Sequence, residues 1–137
     1  MNAIVCIDKD NGVLFNGRRQ SQDRVLREQI MEICAGATLW MTVYSAGQFS
    51  EYADKISVDV DFWDKAASDD FYFIEDGELL LVERIDTLYV FNWNRAYPSD
   101  VQFPMDDFIK SGLRPVSERE FAGSSHKKIT LTVYKKG

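Results

Sequence analysis

One histidine, two cysteines and three prolines are all that this chain of 137 residues holds of those types. Neither Cys6 nor Cys34 has a CxxC partner, and His126 alone cannot complete a zinc site with them, so no metal is expected. Cys6 falls in an apolar strand-like run and Cys34 on the apolar face of a helix-like run, where both read as small buried hydrophobes. Basic residues are in the minority, with 16 Lys and Arg against 22 Asp and Glu; the net charge of −6 gives nucleic acid phosphates no bulk attraction. No window approaches the roughly 18 apolar residues of a membrane span, and Met1 to Asp8 lacks the basic region and apolar run of a signal peptide. The expected location is the cytoplasm. GxxxxGK[ST] and GxGxxG are both absent.

What is present is an ordinary globular composition, 45% apolar and 28% charged, with no repeat, low-complexity tract or Pro/Gly/Ser linker, and residues 1–137 are expected to form one domain. Ala3 to Asp8 reads as a buried strand, with turn chemistry at Lys9 to Gly12 and again at Asn16-Gly17. Asp23 to Ala35 carries Leu26, Ile30, Ile33 and Cys34 at helical spacing, with Asp23 as N-cap and Gly36 beyond the end. The apolar run Ala37 to Val43 follows directly, which predicts a strand parallel to the first and reached by a crossover. Further strands are predicted at Ile56 to Val60, Phe71 to Ile74, Thr87 to Trp93, Leu113 to Glu118 and Lys128 to Tyr134. Short helices are predicted at Gly47 to Ala53 and Gly77 to Arg84, with one turn at Asp106 to Ile109. This order implies an α/β fold: a mixed, mainly parallel sheet flanked by helices and closed by an antiparallel C-terminal hairpin.

Several segments resemble the dihydrofolate reductase family. Ile4 to Val13 (IVCIDKDNGV) is similar to the family's first strand and the start of its active-site loop, where Asn16-Gly17 also recurs. Leu88-Tyr89-Val90-Phe91, Asp100-Val101-Gln102-Phe103-Pro104, Asp106-Asp107-Phe108 and the closing hairpin follow the family's order of "LYLT", "GDTxFP", a loop and two last strands. The resemblance implies that fold over most of the chain, with NADPH as cofactor and a pterin as substrate.

The same alignment exposes departures. In the family an acid of the "LPWxLPxD" segment binds the pterin; here Arg19 to Leu26 fills the segment and the acid's position holds Leu26. Burying the pterin's polar groups against leucine would cost about 1 to 3 kcal/mol each. Asp23 and Glu28 are the nearby carboxylates that could replace the acid. Their simpler readings are helix cap and solvated face. In place of "GRxTxxS" stands Met41 to Gly47 without its Arg, and in place of "IGG" stands Ile74-Glu75-Asp76-Gly77, where only Gly77 matches a glycine that lets a phosphate approach.

Residues 57 to 78 hold eight acids and one base, Lys65, a local net charge of −7. Coulomb sign there opposes NADPH. The leading expectation is therefore a dihydrofolate-reductase-like protein without reductase activity or cofactor. It would bind a basic or nucleic-acid-binding protein through Asp59, Asp61, Phe62, Trp63, Asp64, Asp69, Asp70, Glu75 and Asp76. The alternative is a divergent NADPH-dependent dihydrofolate or pterin reductase. A third reading is a small-molecule binder using a vestigial pterin cleft lined by Val5, Leu26, Ile30 and Phe91. A Ser/His/Asp or Cys/His arrangement has only His126 available, and Gly123 to Lys127 reads as a hairpin turn exposing it.

Overall fold

The computed structural model describes residues 1–59, 62–75 and 82–137. Its first strand, β1 (Asn2–Ile7), sets the layering: Ala3, Val5 and Ile7 enter one core while Ile4 enters the other, the alternation of a strand covered on both faces. Two short strands follow, β2 (Gly12–Phe15) and β3 (Arg18–Arg19). Helix α1 (Arg24–Ile33) starts at Asp23, whose carboxylate accepts from the amides of Val25 and Leu26, and Gly36 past its end takes a φ of 85°. Its buried stripe is Leu26, Ile30 and Cys34.

Strand β4 (Leu39–Met41) leads into the four-residue α2 (Val43–Ala46), a 3-10 turn at Gly47–Tyr52 and β5 (Ile56–Val58). After a 3-10 turn at Phe62–Asp64 come β6 (Phe71–Ile74), a further 3-10 turn at Val82–Arg84 and β7 (Thr87–Asn92). The chain ends with β8 (Val101–Gln102), α3 (Met105–Lys110), β9 (Leu113–Phe121) and β10 (Ile129–Lys136). The main sheet is ordered β5-β4-β6-β1-β7-β10-β9. β5, β4, β6, β1 and β7 are parallel, while β10 runs antiparallel to both β7 and β9. The predicted mixed sheet and closing hairpin are what forms. The strand after α1 is parallel to β1 as predicted, with β6 between them.

A second, three-stranded antiparallel sheet, β3-β2-β8, was not foreseen. Its β2–β3 corner is Asn16-Gly17, with φ of 52° and 71°, the left-handed pair that a two-residue hairpin requires. The signal was in the sequence, because Leu14-Phe15 and Arg18-Arg19 flank that pair. The predicted helix Gly77 to Arg84 lies mostly outside the described residues, and only its end is seen, as the 3-10 turn. No described helix is long and apolar enough to cross a membrane.

Candidate functional site

In an open α/β sheet the ligand crevice lies beyond the carboxyl ends of the parallel strands. Among the described residues, that end of the sheet carries an ion pair. Glu75 leaves the end of β6 and meets Arg19 from β3 in a two-pronged ion pair, Nε to Oε2 at 2.8 Å and Nη2 to Oε1 at 3.1 Å. Gln48 Nε2 donates to the same carboxylate at 2.7 Å. The Arg19 guanidinium also donates to the Tyr44 carbonyl at 3.1 Å and lies 4.4 Å from the centre of the Tyr44 ring, whose hydroxyl accepts from the Arg19 amide at 2.7 Å. The segments that replace "GRxTxxS" and "IGG" are thus tied to one another through Arg19. At the start of α2 the Thr42 hydroxyl accepts from the Ser45 amide, so that helix end is capped internally. Burial and the Glu75 charge raise the Cys6 thiol above its ordinary range, and burial pushes Cys34 up to about 12, so both sulfurs are inert thiols.

The residues assigned to a vestigial cleft do not line one. Val5, Leu26, Ile30 and Phe91 are each at most 1% exposed; Leu26, Ile30 and Phe91 share one core while Val5 belongs to the core on the other side of the sheet. Phe91 faces Phe121 and shares its core with the α1 stripe of Leu26, Ile30 and Cys34.

Neither carboxylate proposed to replace the pterin acid is placed for that work. Glu28 is exposed and pairs with Arg24 one turn earlier at 2.7 Å. Asp23 is buried and saturated. Besides the two α1 amides it accepts from the amides of Ser124 at 3.0 Å and Ser125 at 2.9 Å, from the Ser125 hydroxyl and from His126 Nδ1 at 2.9 Å. Burial opposes its ionisation, but the hydrogen bonds from His126, Ser125, Ser124 and Leu26 outweigh it and hold the carboxyl well below the usual range.

His126 is therefore not an exposed turn histidine. Its residue is 7% exposed, its ring stacks on Trp93 at 4.5 Å, and its Nε2 meets Ser21 Oγ at 2.8 Å and the Tyr97 hydroxyl at 3.3 Å. The loop between β9 and β10 folds back onto the start of α1, and no local pattern announces that contact. A cavity of about 440 Å³ opens beside it, lined by Trp93, Asn94, Arg95, Ser125, His126, Lys127 and Lys128.

The acidic segment is divided between core and surface. Phe62 is 3% exposed, packed among Trp40, Trp63 and Tyr72, and cannot anchor a partner. Trp63 is half-buried in the same cluster beside Arg84. Asp70 is buried, accepting from the Thr38 and Ala67 amides and the Trp40 indole, which ties β4 to the turn before β6. Asp59 is paired with Lys65 and Glu75 with Arg19, while Asp64 and Asp69 stand exposed. Asp61, Asp76 and Gly77 lie outside the described residues. Among the described residues no cluster of His, Cys, Asp and Glu could hold a metal ion.

The fold defined by this sheet order is that of dihydrofolate reductase. Neither a family model nor a curated protein sequence matches the chain. Among solved structures, the dihydrofolate reductase from Enterococcus faecalis complexed with NADP(H) and RAB-propyl superposes with a TM-score of 0.68. The match covers 100% of this chain and 96% of that one at 14% sequence identity. At that identity the likeness is one of fold.

Proposed function

We propose that this chain is a dihydrofolate-reductase-like protein that does not carry out NADPH-dependent reduction and acts in the cytoplasm by binding a macromolecular partner with a basic surface. The observation that carries the first part is the Arg19–Glu75 ion pair at the carboxyl ends of the strands. The matching enzyme is complexed with NADP(H). In this chain the residues fit such a cofactor poorly. The Arg19 guanidinium is already neutralised by Glu75, and a carboxylate follows β6 where the resemblance would put small residues that let a phosphate approach bare backbone. A divergent reductase would also need an acid near the pterin, and Asp23 and Glu28 are both committed elsewhere.

The partner half rests on the sign of the surface: the net charge is −6, and Asp64 and Asp69 are exposed. Two titrations test the reading. A bound cofactor stabilises the fold by RT ln(1 + [L]/Kd), about 2.7 kcal/mol at a hundredfold excess over Kd, so thermal unfolding with millimolar NADPH is expected to show no shift. A clear shift would overturn the non-reductase reading. A poly-lysine probe is expected to bind in low salt and to lose most of its affinity for the D64K/D69K double variant; equal binding by that variant would overturn the assignment of the acidic face.

A further inference from the structure

The buried contacts of His126 have a direction. A carboxylate only accepts hydrogen bonds, so Asp23 Oδ2, 2.9 Å from Nδ1, places the ring proton on Nδ1. The lone pair of Nε2 then faces Ser21 Oγ at 2.8 Å, and the serine hydroxyl donates to it. The side chains of Asp23 and His126 are 0% and 4% exposed, whereas Ser21 is half-buried, so the series runs from the interior to the surface and ends in a hydroxyl. Four backbone amides and the Trp93 ring hold the acid and the imidazole in place. Ser125 is on the wrong side for the same role: its Oγ lies 3.2 Å from Nδ1 and donates to Asp23.

We propose that Ser21 is a nucleophile, His126 its general base and Asp23 the group that positions the imidazole, and that together they hydrolyse a small carboxylic ester bearing a negative charge. The charge preference follows from the cavity beside the imidazole, whose lining includes His126, Arg95, Lys127 and Lys128 but not Ser21, so the charged end of the ester would lie there while its acyl carbon reaches Ser21 across the ring. Lys128 is paired with Glu120 at 3.0 Å, while among the described residues no ion pair engages Arg95 or Lys127. At about 440 Å³ the cavity suits a ligand of one aromatic ring, with Trp93 as its apolar wall.

In the first step the Ser21 proton moves to His126 Nε2 as Oγ bonds to the acyl carbon. The carbon–oxygen bond to the leaving group then breaks, and Nε2 returns the proton to the departing alkoxide. Water repeats the sequence: its proton goes to Nε2, its oxygen bonds to the acyl carbon, and Ser21 leaves with the proton, so ester and water become acid and alcohol.

The full chain should be treated with a fluorophosphonate, in which Oγ–P bond formation expels fluoride, and the adduct mapped by peptide mass spectrometry. The expected label is on Ser21 and not on Ser125. Turnover of 4-acetoxybenzoate is expected to fall about a hundredfold or more in S21A and in H126Q. In D23N the maximal labelling rate should fall while the probe concentration giving half of it stays unchanged. Labelling is read on the unaltered chain and does not depend on any variant folding; melting curves establish that S21A remains folded. No adduct on Ser21 at millimolar probe, or equal turnover by folded S21A, would overturn the assignment. Hydrolysis of neutral phenyl acetate as fast as the anionic ester would overturn the substrate class.

Discussion

The Arg19–Glu75 pair and the Asp23–His126 pair lie in two regions of the molecule and use similar parts, yet they leave different chemistry behind. Arg19 and Glu75 meet as full opposite charges in two-pronged contact, and Gln48 and Tyr44 take up further donors and acceptors. Asp23 is equally saturated, but its partner is an imidazole with two nitrogens, and engaging Nδ1 polarises Nε2 toward a hydroxyl. A closed ion pair ends at its two members, whereas a histidine passes the effect of its carboxylate across the ring. The carboxyl end of β6 is thus closed by an ion pair, and the Ser21–His126–Asp23 arrangement stands where the last hairpin folds back.

The largest effect that can break this comparison is expected at Asp23. D23A removes the α1 cap and the acceptor for four loop donors, and should cost about 3 kcal/mol in denaturant unfolding. The same interactions give a pH signature. Asp23 ionises below its ordinary value of about 3.9 when folded, so its contribution is fully present above that value and is lost as pH falls through the folded pKa. Asp8 and Asp70, whose burial is outweighed by amide and side-chain donors, act in the same sense. Acid titration of unfolding free energy should show stability falling below about pH 4, with a shallower slope in D23N.

E75Q, which leaves Arg19 without its countercharge in a half-buried site, is expected to cost about 1 to 2 kcal/mol. A much smaller loss would mean that the crevice contact is solvated and the contrast with Asp23 weaker than drawn. G123A tests the loop contact without changing a charged residue. A Cβ there would overlap the Asp23 carboxylate, and the expected cost is about 1 to 2 kcal/mol, with fluorophosphonate labelling of Ser21 slowed as the loop shifts. The smallest effect belongs to E28Q, an exposed partner of Arg24, at about 0.3 to 0.5 kcal/mol. A loss above 1 kcal/mol there would show that Glu28 does more than solvate the helix.

The split in legibility runs along the range of the interactions. β1, α1 with its Asp23 cap, β7 and the closing hairpin follow from periodicity and turn residues, because each is decided within about ten neighbours. The Asn16-Gly17 hairpin is equally local, but its flanking strands are only four and two residues long, too short for periodicity to mark. Burial of Phe62 and Asp70 was hidden because an acidic stretch looks solvated until one knows that Trp40 and Thr38 supply its partners. Val5 and Leu26 fall in different cores, and a family order of segments does not say which face of the sheet each side chain takes.

From the sequence alone come the α/β class, the mainly parallel sheet closed by a hairpin and the resemblance to dihydrofolate reductase. Only the tertiary structure decides which charges meet. Arg19 and Glu75 are 56 residues apart, and Asp23 and His126 are 103 apart. No local propensity records such pairs, because their geometry exists only once the strands have been ordered and the loops drawn together.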